Sequence, residues 1–268
     1  MTSTIGVKKI QYPNGTDIMT LDSSGSLAIA DSATVGGTLD VTGKVSINNT
    51  ASPTSYYADE LVLTASDEGG MTIVNSTTHR GYLSFADGTS GSERYRGYIS
   101  YDHNTDHLYL GAGGSGQIHI DGSGRVTMPL QPHFLVRSNA GNTTNEWQAG
   151  NVIKFQTVQV NQGSHYSTTT GRFTAPVAGF YHISFNGFGY IAGAVGTTTL
   201  TVALNINGTN FVNWVYESNS AGNTYPSGTG SAGIYLSASD YAQVFVQSGG
   251  IYADTTNLYT SFSGHLVC

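Results

Sequence analysis

The chain has 268 residues, of which only 10% are charged, and its formal net charge is -7. A negative chain with ten lysines and arginines is a poor ligand for nucleic acid or an anionic membrane surface, so both partner classes are excluded. The 35 glycines indicate many turns, while 38% hydrophobic residues leave enough apolar area for a core. No stretch shows apolar residues at helical spacing, so we expect an all-β protein with almost no helix.

The N-terminal segment MTSTIGVKKIQYP lacks the apolar run of about 7 to 15 residues that secretory signal peptides contain. No stretch is long and apolar enough for a transmembrane helix, so membrane insertion is not expected. The single cysteine, Cys268, cannot form an intrachain disulfide, which fits assembly in a reducing cytoplasm.

An internal repeat lies in the first half of the chain. Residues 21–29, LDSSGSLAI, share the pattern apolar-D-x-S-G-x-apolar-x-apolar with residues 120–128, IDGSGRVTM. In each copy the aspartate can cap a turn and the glycine favours a positive φ, so we predict a β-hairpin at each. Calcium bound at Asp22 and Asp121 is an alternative that needs more assumptions.

Residues 33–47, ATVGGTLDVTGKVSI, form a run of very short alternating strands broken by glycine. Such strands cannot bury their apolar side chains in a monomer, whereas three copies wound around one axis can. The run GGTLDVTGKVSI is similar to segments of phage tail-fibre and appendage proteins. This resemblance implies a homotrimeric shaft that attaches through its N-terminus to tail or capsid proteins.

A second segment of this kind is ERYRGYISYDHNTDHLYL, residues 93–110. Its pattern predicts a hairpin with strands at Gly97–Asp102 and His107–Leu110 around a polar turn. The segment resembles the GxIxYDHxTDxLxL motif of phage fibre connector domains.

Candidate metal ligands lie in this turn and nearby. Asp102, His103, Asp106 and His107 offer carboxylates and imidazoles to a cation, but a capped turn explains them with fewer assumptions. His119 could lie on a trimer axis, although no HxH pair accompanies it. We therefore assign no metal-binding residue and predict no cofactor.

The second half of the chain alternates apolar and polar residues with a period of two. In TGRFTAPVAGFYHISF, residues 170–185, the proline ends one strand, and Tyr181, Ile183 and Phe185 point to one face of the next. Similar alternation is present in the runs Val152–Val160, Leu200–Ile206, Phe211–Tyr216, Tyr241–Gln247 and Leu258–Val267. Eight to ten short strands at this spacing predict a β-sandwich or jelly roll.

The pattern TGxFTAPxxGxYxxxF resembles the signature strand pair of the globular head of complement component C1q and its tumour-necrosis-factor relatives. Further landmarks follow in the family's order: Ile153–Phe155, Leu204–Gly208, Gly230–Leu236, Gln243–Val246 and Phe262–Leu266. Ser239 departs from the glycine usual before Asp240, which weakens the turn prediction there. The resemblance implies a homotrimeric binding head, with Ile153–Phe155 in its first strand.

Two proline-bearing stretches, ASPTS and MPLQP, suggest the domain boundaries. We predict an N-terminal virion-attachment and shaft region at 1–52, a β-rich connector at 53–130 and a jelly-roll head at 131–268.

Enzymatic activity has no support in the sequence. Residues 228–233 match GxGxxG, but a strand pattern follows where a phosphate-binding loop needs a helix. HExxH, GxSxG, Walker and CxxC motifs are all absent from the sequence, so we assign no catalytic or cofactor-binding residue.

The function expected is therefore that of a bacteriophage tail fibre, assembled in the bacterial host cytoplasm and carried on the virion, whose head binds a host surface glycan or protein. A head fibre or capsid decoration protein is the alternative, and a bacterial protein that borrowed this head is a third class. Five aromatic residues near predicted strand ends are the candidate receptor-binding set, although half of them could instead be core or trimer-interface residues: Tyr190, Trp214, Tyr216, Tyr225 and Tyr252.

Overall fold

The computed structural model describes five short backbone strands in the first 63 residues, and then residues 67–138, 148–190, 199–218, 226–251 and 260–267, apart from the side chains of Phe188 and Tyr190. Asp22, the shaft run before Val45, Tyr225 and Tyr252 lie outside the described residues, so the predictions made on them remain predictions. None of the helical segments described is long or apolar enough to cross a membrane.

The chain divides into two compact units, Met1–Ile73 and Val74–Cys268. The described strands of the first unit are β1 Lys9–Gln11, β2 Asp17–Leu21, β3 Leu27–Ile29, β4 Val45–Ile47 and β5 Leu61–Leu63. Strands β1, β2 and β3 form an antiparallel sheet, and β4 pairs in parallel with β5. The predicted boundaries at residues 52 and 130 remain predictions.

The second unit begins with a five-stranded antiparallel meander, which we name the connector sheet. Its strands are β6 Arg80–Phe85, β7 Gly97–Asp102, β8 His107–Ala112, β9 Ser115–Ile120 and β10 Val126–Thr127, and a 3₁₀ helix, Gly91–Tyr95, joins the first two. The hairpin predicted around the DHNTD turn is confirmed as β7 and β8.

Both copies of the repeat form hairpins with the same register. Leu21 is opposite Leu27 in the first copy, and Ile120 is opposite Val126 in the second. In the second copy Asp121 Oδ1 accepts hydrogen bonds from the backbone N–H groups of Ser123 at 2.9 Å and Arg125 at 3.0 Å. These bonds, with the Arg125 side chain, hold the pKa of Asp121 below its usual value. The capping predicted for Asp121 is confirmed.

Twelve further strands form a sandwich. Their bounds are β11 His133–Arg137, β12 Asn151–Val152, β13 Thr157–Asn161, β14 Tyr166–Ser167, β15 Arg172–Thr174, β16 Gly179–Tyr190, β17 Thr199–Ile206, β18 Thr209–Ser218, β19 Ser227–Leu236, β20 Tyr241–Ser248, β21 Gly250–Ile251 and β22 Ser261–Leu266. One sheet has the order β13-β11-β22-β16-β19, and the other has the order β14-β15-β20-β17-β18. The described residues contain no α-helix, so the all-β prediction is confirmed.

The core lies between these two sheets and is built around aromatic side chains. Tyr181, Ile183 and Phe185 of β16 are all buried, as the alternation of the TGRFTAPVAGFYHISF segment predicts. Phe134 stacks on Phe173 with ring centroids 4.6 Å apart. Parallel and edge-on aromatic contacts of this kind stabilise a core beyond the burial of apolar area alone.

The prediction that Ile153–Phe155 forms the first strand of the sandwich is wrong. The first strand is β11, and residues 153–156 lie between β12 and β13, where the chain passes from one sheet to the other. The alternating pattern predicted a strand here because Ile153 and Phe155 are both apolar, and both are fully buried in the structure. Their backbone N–H groups bond outside any ladder, to the carbonyl of Val244 at 2.9 Å and the hydroxyl of Tyr166 at 3.0 Å.

Two tight turns meet at one end of the sandwich. Asn207 and Gly208 connect β17 to β18 with φ of 51° and 87°, the paired positive values that a type I′ hairpin turn requires. The Asn207 amide donates to Asp240 Oδ1 at 2.7 Å. This bond, with the one from the Ser237 N–H, holds the pKa of Asp240 below its usual value.

Ser239 occupies the second of these turns with a φ of 75°. The substitution of serine for the glycine expected there therefore leaves the turn in place, at a cost in backbone strain. A left-handed conformation costs a non-glycine residue about 1 kcal/mol or more.

We predict that Ser239→Gly stabilises the sandwich by about 0.5–1 kcal/mol, because relief of strain exceeds the added freedom of glycine in the unfolded chain. Ser237→Gly is the matched control, since Ser237 is exposed and does not have a positive φ. Urea unfolding followed by tryptophan fluorescence measures both, and equal destabilisation by the two substitutions would contradict the prediction.

Candidate binding and self-association surfaces

The outer face of the β13-β11-β22-β16-β19 sheet carries a row of three histidines, and we name it the histidine face. His133 is opposite His265, and His265 is opposite His182, on three adjacent strands. The rings of His182 and His265 are 5.4 Å apart. His133 Nδ1 lies 2.9 Å from the carbonyl oxygen of Gln131, and Ser184 Oγ lies 3.0 Å from Ser263 Oγ in the next row.

The histidine face is almost free of formal charge. Arg137 is the one lysine, arginine, aspartate or glutamate in the five strands of this sheet. Phe180 and Tyr235 are cross-strand neighbours on this face, and their exposed fractions are 42% and 64%. Depletion of charge together with exposed aromatic rings is typical of the central part of a protein–protein interface.

The outer face of the opposite sheet is crossed by a chain of side-chain hydrogen bonds, which we name the polar ladder. Arg172 Nε donates to Gln243 Oε1 at 2.9 Å, and Gln243 Nε2 donates to Asn205 Oδ1 at 3.0 Å. Asn205 Nδ2 then donates to Asn210 Oδ1 at 3.2 Å. The ladder links the four strands β15, β20, β17 and β18, so it fixes their register.

The candidate receptor-binding residues are only partly described. Trp214 and Tyr216 both lie on the edge strand β18, whereas Tyr190 is described as backbone of β16, and Tyr225 and Tyr252 are outside the described residues. Tyr216 is 71% exposed and is free to contact a ligand. The receptor-binding assignment of all five residues remains a prediction.

Trp214 has a packing role that the sequence did not reveal. Val202 pairs with Val215 and Ala203 with Asn213, so Trp214 is the extra residue of a β-bulge. The bulge turns its half-buried ring inward, where it stacks on Phe185 with centroids 6.1 Å apart. Its indole N–H is buried and has no acceptor among the described residues.

The turn that offered candidate metal ligands is engaged in other contacts. Asp102 Oδ1 accepts the Asn104 N–H at 3.0 Å, and its Oδ2 lies 2.8 Å from a terminal nitrogen of Arg80. Desolvation raises the pKa of Asp102, but these bonds outweigh it and hold the pKa below its usual value. The capped-turn interpretation is therefore confirmed for Asp102, and His103 stacks edge-on against Tyr101 at 5.0 Å.

No group of three or more histidines, cysteines, aspartates or glutamates that could hold a metal occurs in the part of the chain that the structure describes. The GxGxxG match at residues 228–233 lies inside β19, in an extended strand without a helix N-terminus. Neither motif supplies the geometry of a metal or phosphate site.

The sequence model of the C1q domain matches residues 134–267, which is half of the chain. The chain therefore belongs to the C1q-domain family. Domains of this family are generally non-enzymatic, typically form homotrimers and often bind receptors.

Among solved structures, the globular domain of zebrafish complement 1qA protein is similar to this chain, with 19% sequence identity and a TM-score of 0.40. The match covers 52% of this chain and 98% of the zebrafish domain.

We predict that Gln243→Met destabilises the sandwich by about 2 kcal/mol, because the buried Asn205 Oδ1 loses its donor while the side-chain shape is retained. Gln247→Met is the control, since Gln247 is on the same strand, at a bulge opposite β17, and is not part of the ladder. Urea unfolding measures both, and a Gln243→Met effect no larger than that of Gln247→Met would show that the ladder is not stabilising.

Proposed function

We propose that this protein is a non-enzymatic, homotrimeric appendage of a bacteriophage virion, a tail fibre whose C1q jelly roll binds a host surface. The C1q domain supports the trimer and the binding role, since such domains typically form homotrimers and often bind receptors. The fibre-like runs at residues 33–47 and 93–110 support the virion context. The single observation that carries the proposal is a C1q head preceded by repeated hairpins in one chain.

The histidine face supports self-association through the head. Its five strands carry one formal charge, at Arg137, so a second copy that packs against this face would desolvate few charged groups. The exposed pair Phe180 and Tyr235 would lose water on assembly, which is the main driving force for association. We therefore place the contact between copies on this face.

The connector sheet supports the same conclusion from a separate observation. Alternation places Leu83, Phe85, Ile99 and Leu110 on one of its faces, and all four are exposed. None of the apolar side chains described before Pro132 is buried. A single sheet without a second layer is not stable in water, so we propose that two further copies of the chain cover this apolar face.

Placing a carboxylate on the histidine face is predicted to break the trimer. Phe180→Asp would bury one unpaired charge per copy in the trimer, so we expect association to weaken at least about a hundredfold. Because Phe180 is exposed in a single copy, the substitution should not destabilise the fold of the monomer. Phe211→Asp is the control, because Phe211 is 54% exposed but lies on the opposite sheet. Light scattering after size exclusion reports both masses; a trimeric Phe180→Asp variant would contradict this interface.

Immunogold electron microscopy tests the virion role directly. An antibody raised against residues 131–268 is applied to phage particles in which mass spectrometry detects the chain. Label at the tail tip is the expected result. Label over the capsid would instead make the protein a head fibre or decoration protein, and absence of the chain from every virion would overturn the phage assignment.

A further inference from the structure

A groove of ≈ 480 Å³ lies on the polar face of the connector sheet, opposite its apolar face. Strand β6, the 3₁₀ helix and strand β7 supply its lining: Arg80, Tyr82, Ser84, Arg94, Tyr95 and Tyr98. A concavity of this size lies in the range of small-ligand sites. Its combination of guanidinium groups and phenol rings is unusual in a chain with so few cations.

Arg94 is the cation in this groove that lacks a carboxylate partner within the described part of the chain. The neighbouring arginines are neutralised, with Arg80 at 2.8 Å from Asp102 and Arg96 at 3.2 Å from Asp87. Arg94 has only a backbone contact, Nε to the Gly91 carbonyl at 3.4 Å. The adjacent Glu93 points to the Ser90 N–H at 3.2 Å, where it caps the 3₁₀ helix. The groove therefore keeps one positive charge for a ligand.

The tyrosines give the groove aromatic walls. Tyr82 and Tyr98 meet edge to face with centroids 6.2 Å apart, and the Tyr98 ring is fixed against Gly111, where a Cβ would collide with it. Tyr82 and Tyr95 remain 48% and 39% exposed, so their rings are available to a ligand. Aromatic rings of this kind present an apolar face for stacking and a hydroxyl for hydrogen bonding.

We propose that this groove binds a carboxylate-bearing saccharide. The Arg94 guanidinium pairs with the carboxylate through two parallel hydrogen bonds, which is the geometry that arginine favours. Tyr82 and Tyr95 pack against the apolar face of the sugar ring, and Ser84 is available to a ring hydroxyl. Inorganic phosphate would pair with the guanidinium but would not pack against the tyrosines. A neutral sugar would pack against the tyrosines but would leave the positive charge unpaired.

The site is separate from the jelly-roll head and from both self-association surfaces. It lies on the opposite face of the connector sheet from Leu83 and Ile99, so it stays open whether or not the chain is a trimer. The proposal does not depend on a virion origin, and its failure would leave the trimer and head-binding proposals unchanged.

Isothermal titration calorimetry with the full chain tests the proposal, using oligogalacturonate as the ligand and its methyl ester as the matched neutral probe. We expect the acid to bind and the ester to bind at least about tenfold more weakly, because esterification removes the charge but keeps the sugar rings. Arg94→Gln should weaken oligogalacturonate binding at least about tenfold. Arg94→Lys should have an intermediate effect, because lysine keeps the charge without the planar fork.

Arg125→Gln is the control variant, since it removes one positive charge from the turn before β10, outside the groove, and it should leave the affinity unchanged. Arg94 is exposed, so circular dichroism of the Arg94→Gln variant should match the parent protein. Equal binding of acid and ester, insensitivity to Arg94→Gln, or no heat at millimolar oligogalacturonate would each overturn the proposal. Binding of inorganic phosphate with the same Arg94 dependence, without saccharide binding, would overturn the saccharide assignment.

Discussion

Successive side chains of a β-strand point to opposite faces, so every sheet must cover two surfaces. Within residues 67–267, as far as the structure describes them, the buried apolar side chains all lie at Pro132 or later, where the two sheets of the jelly roll face each other. The connector sheet leaves an apolar face in water, and the histidine face of the jelly roll is nearly free of charge. Both surfaces are explained if other copies of the same chain cover them, which makes assembly part of the fold.

The two sheets of the jelly roll have different roles, one in the stability of the fold and the other in recognition. The polar ladder from Arg172 to Asn210 satisfies its buried polar groups internally, which fixes the register of one sheet and leaves little for a partner to bind. On the histidine face the described bond between Ser184 and Ser263 joins two strands, and the face retains exposed aromatic rings. Strand β18 belongs to the sheet that does not carry the histidine face, and Tyr216 is exposed there, so the assembly we propose does not require Tyr216 to be covered.

Local patterns could be predicted from the sequence, because they depend on residues close together in the chain. The alternation after Pro176 predicted which side chains of β16 are buried, and the repeated aspartate and glycine predicted two hairpins. The turn at Ser239 shows the limit of that reasoning, since tertiary contacts impose a positive φ on a serine. Propensity alone disfavours this conformation.

Features that depend on strand pairing could not be predicted. Strand β11 was missed because the prolines of MPLQP indicated a boundary, and its role is defined by pairing with β22, far along the chain. For the same reason the histidine row could not be predicted from the sequence, since His133, His182 and His265 lie side by side only through the register of three strands. The Trp214 bulge likewise depends on its pairing with β17.

The mass of the full chain in solution tests the central claim most directly. One chain has a mass of 28.2 kDa, and sedimentation equilibrium at neutral pH should give about three times that value over a wide range of concentrations. A stable, folded monomer would contradict the account, because the apolar face of the connector sheet and the histidine face would then be left in water with nothing to cover them.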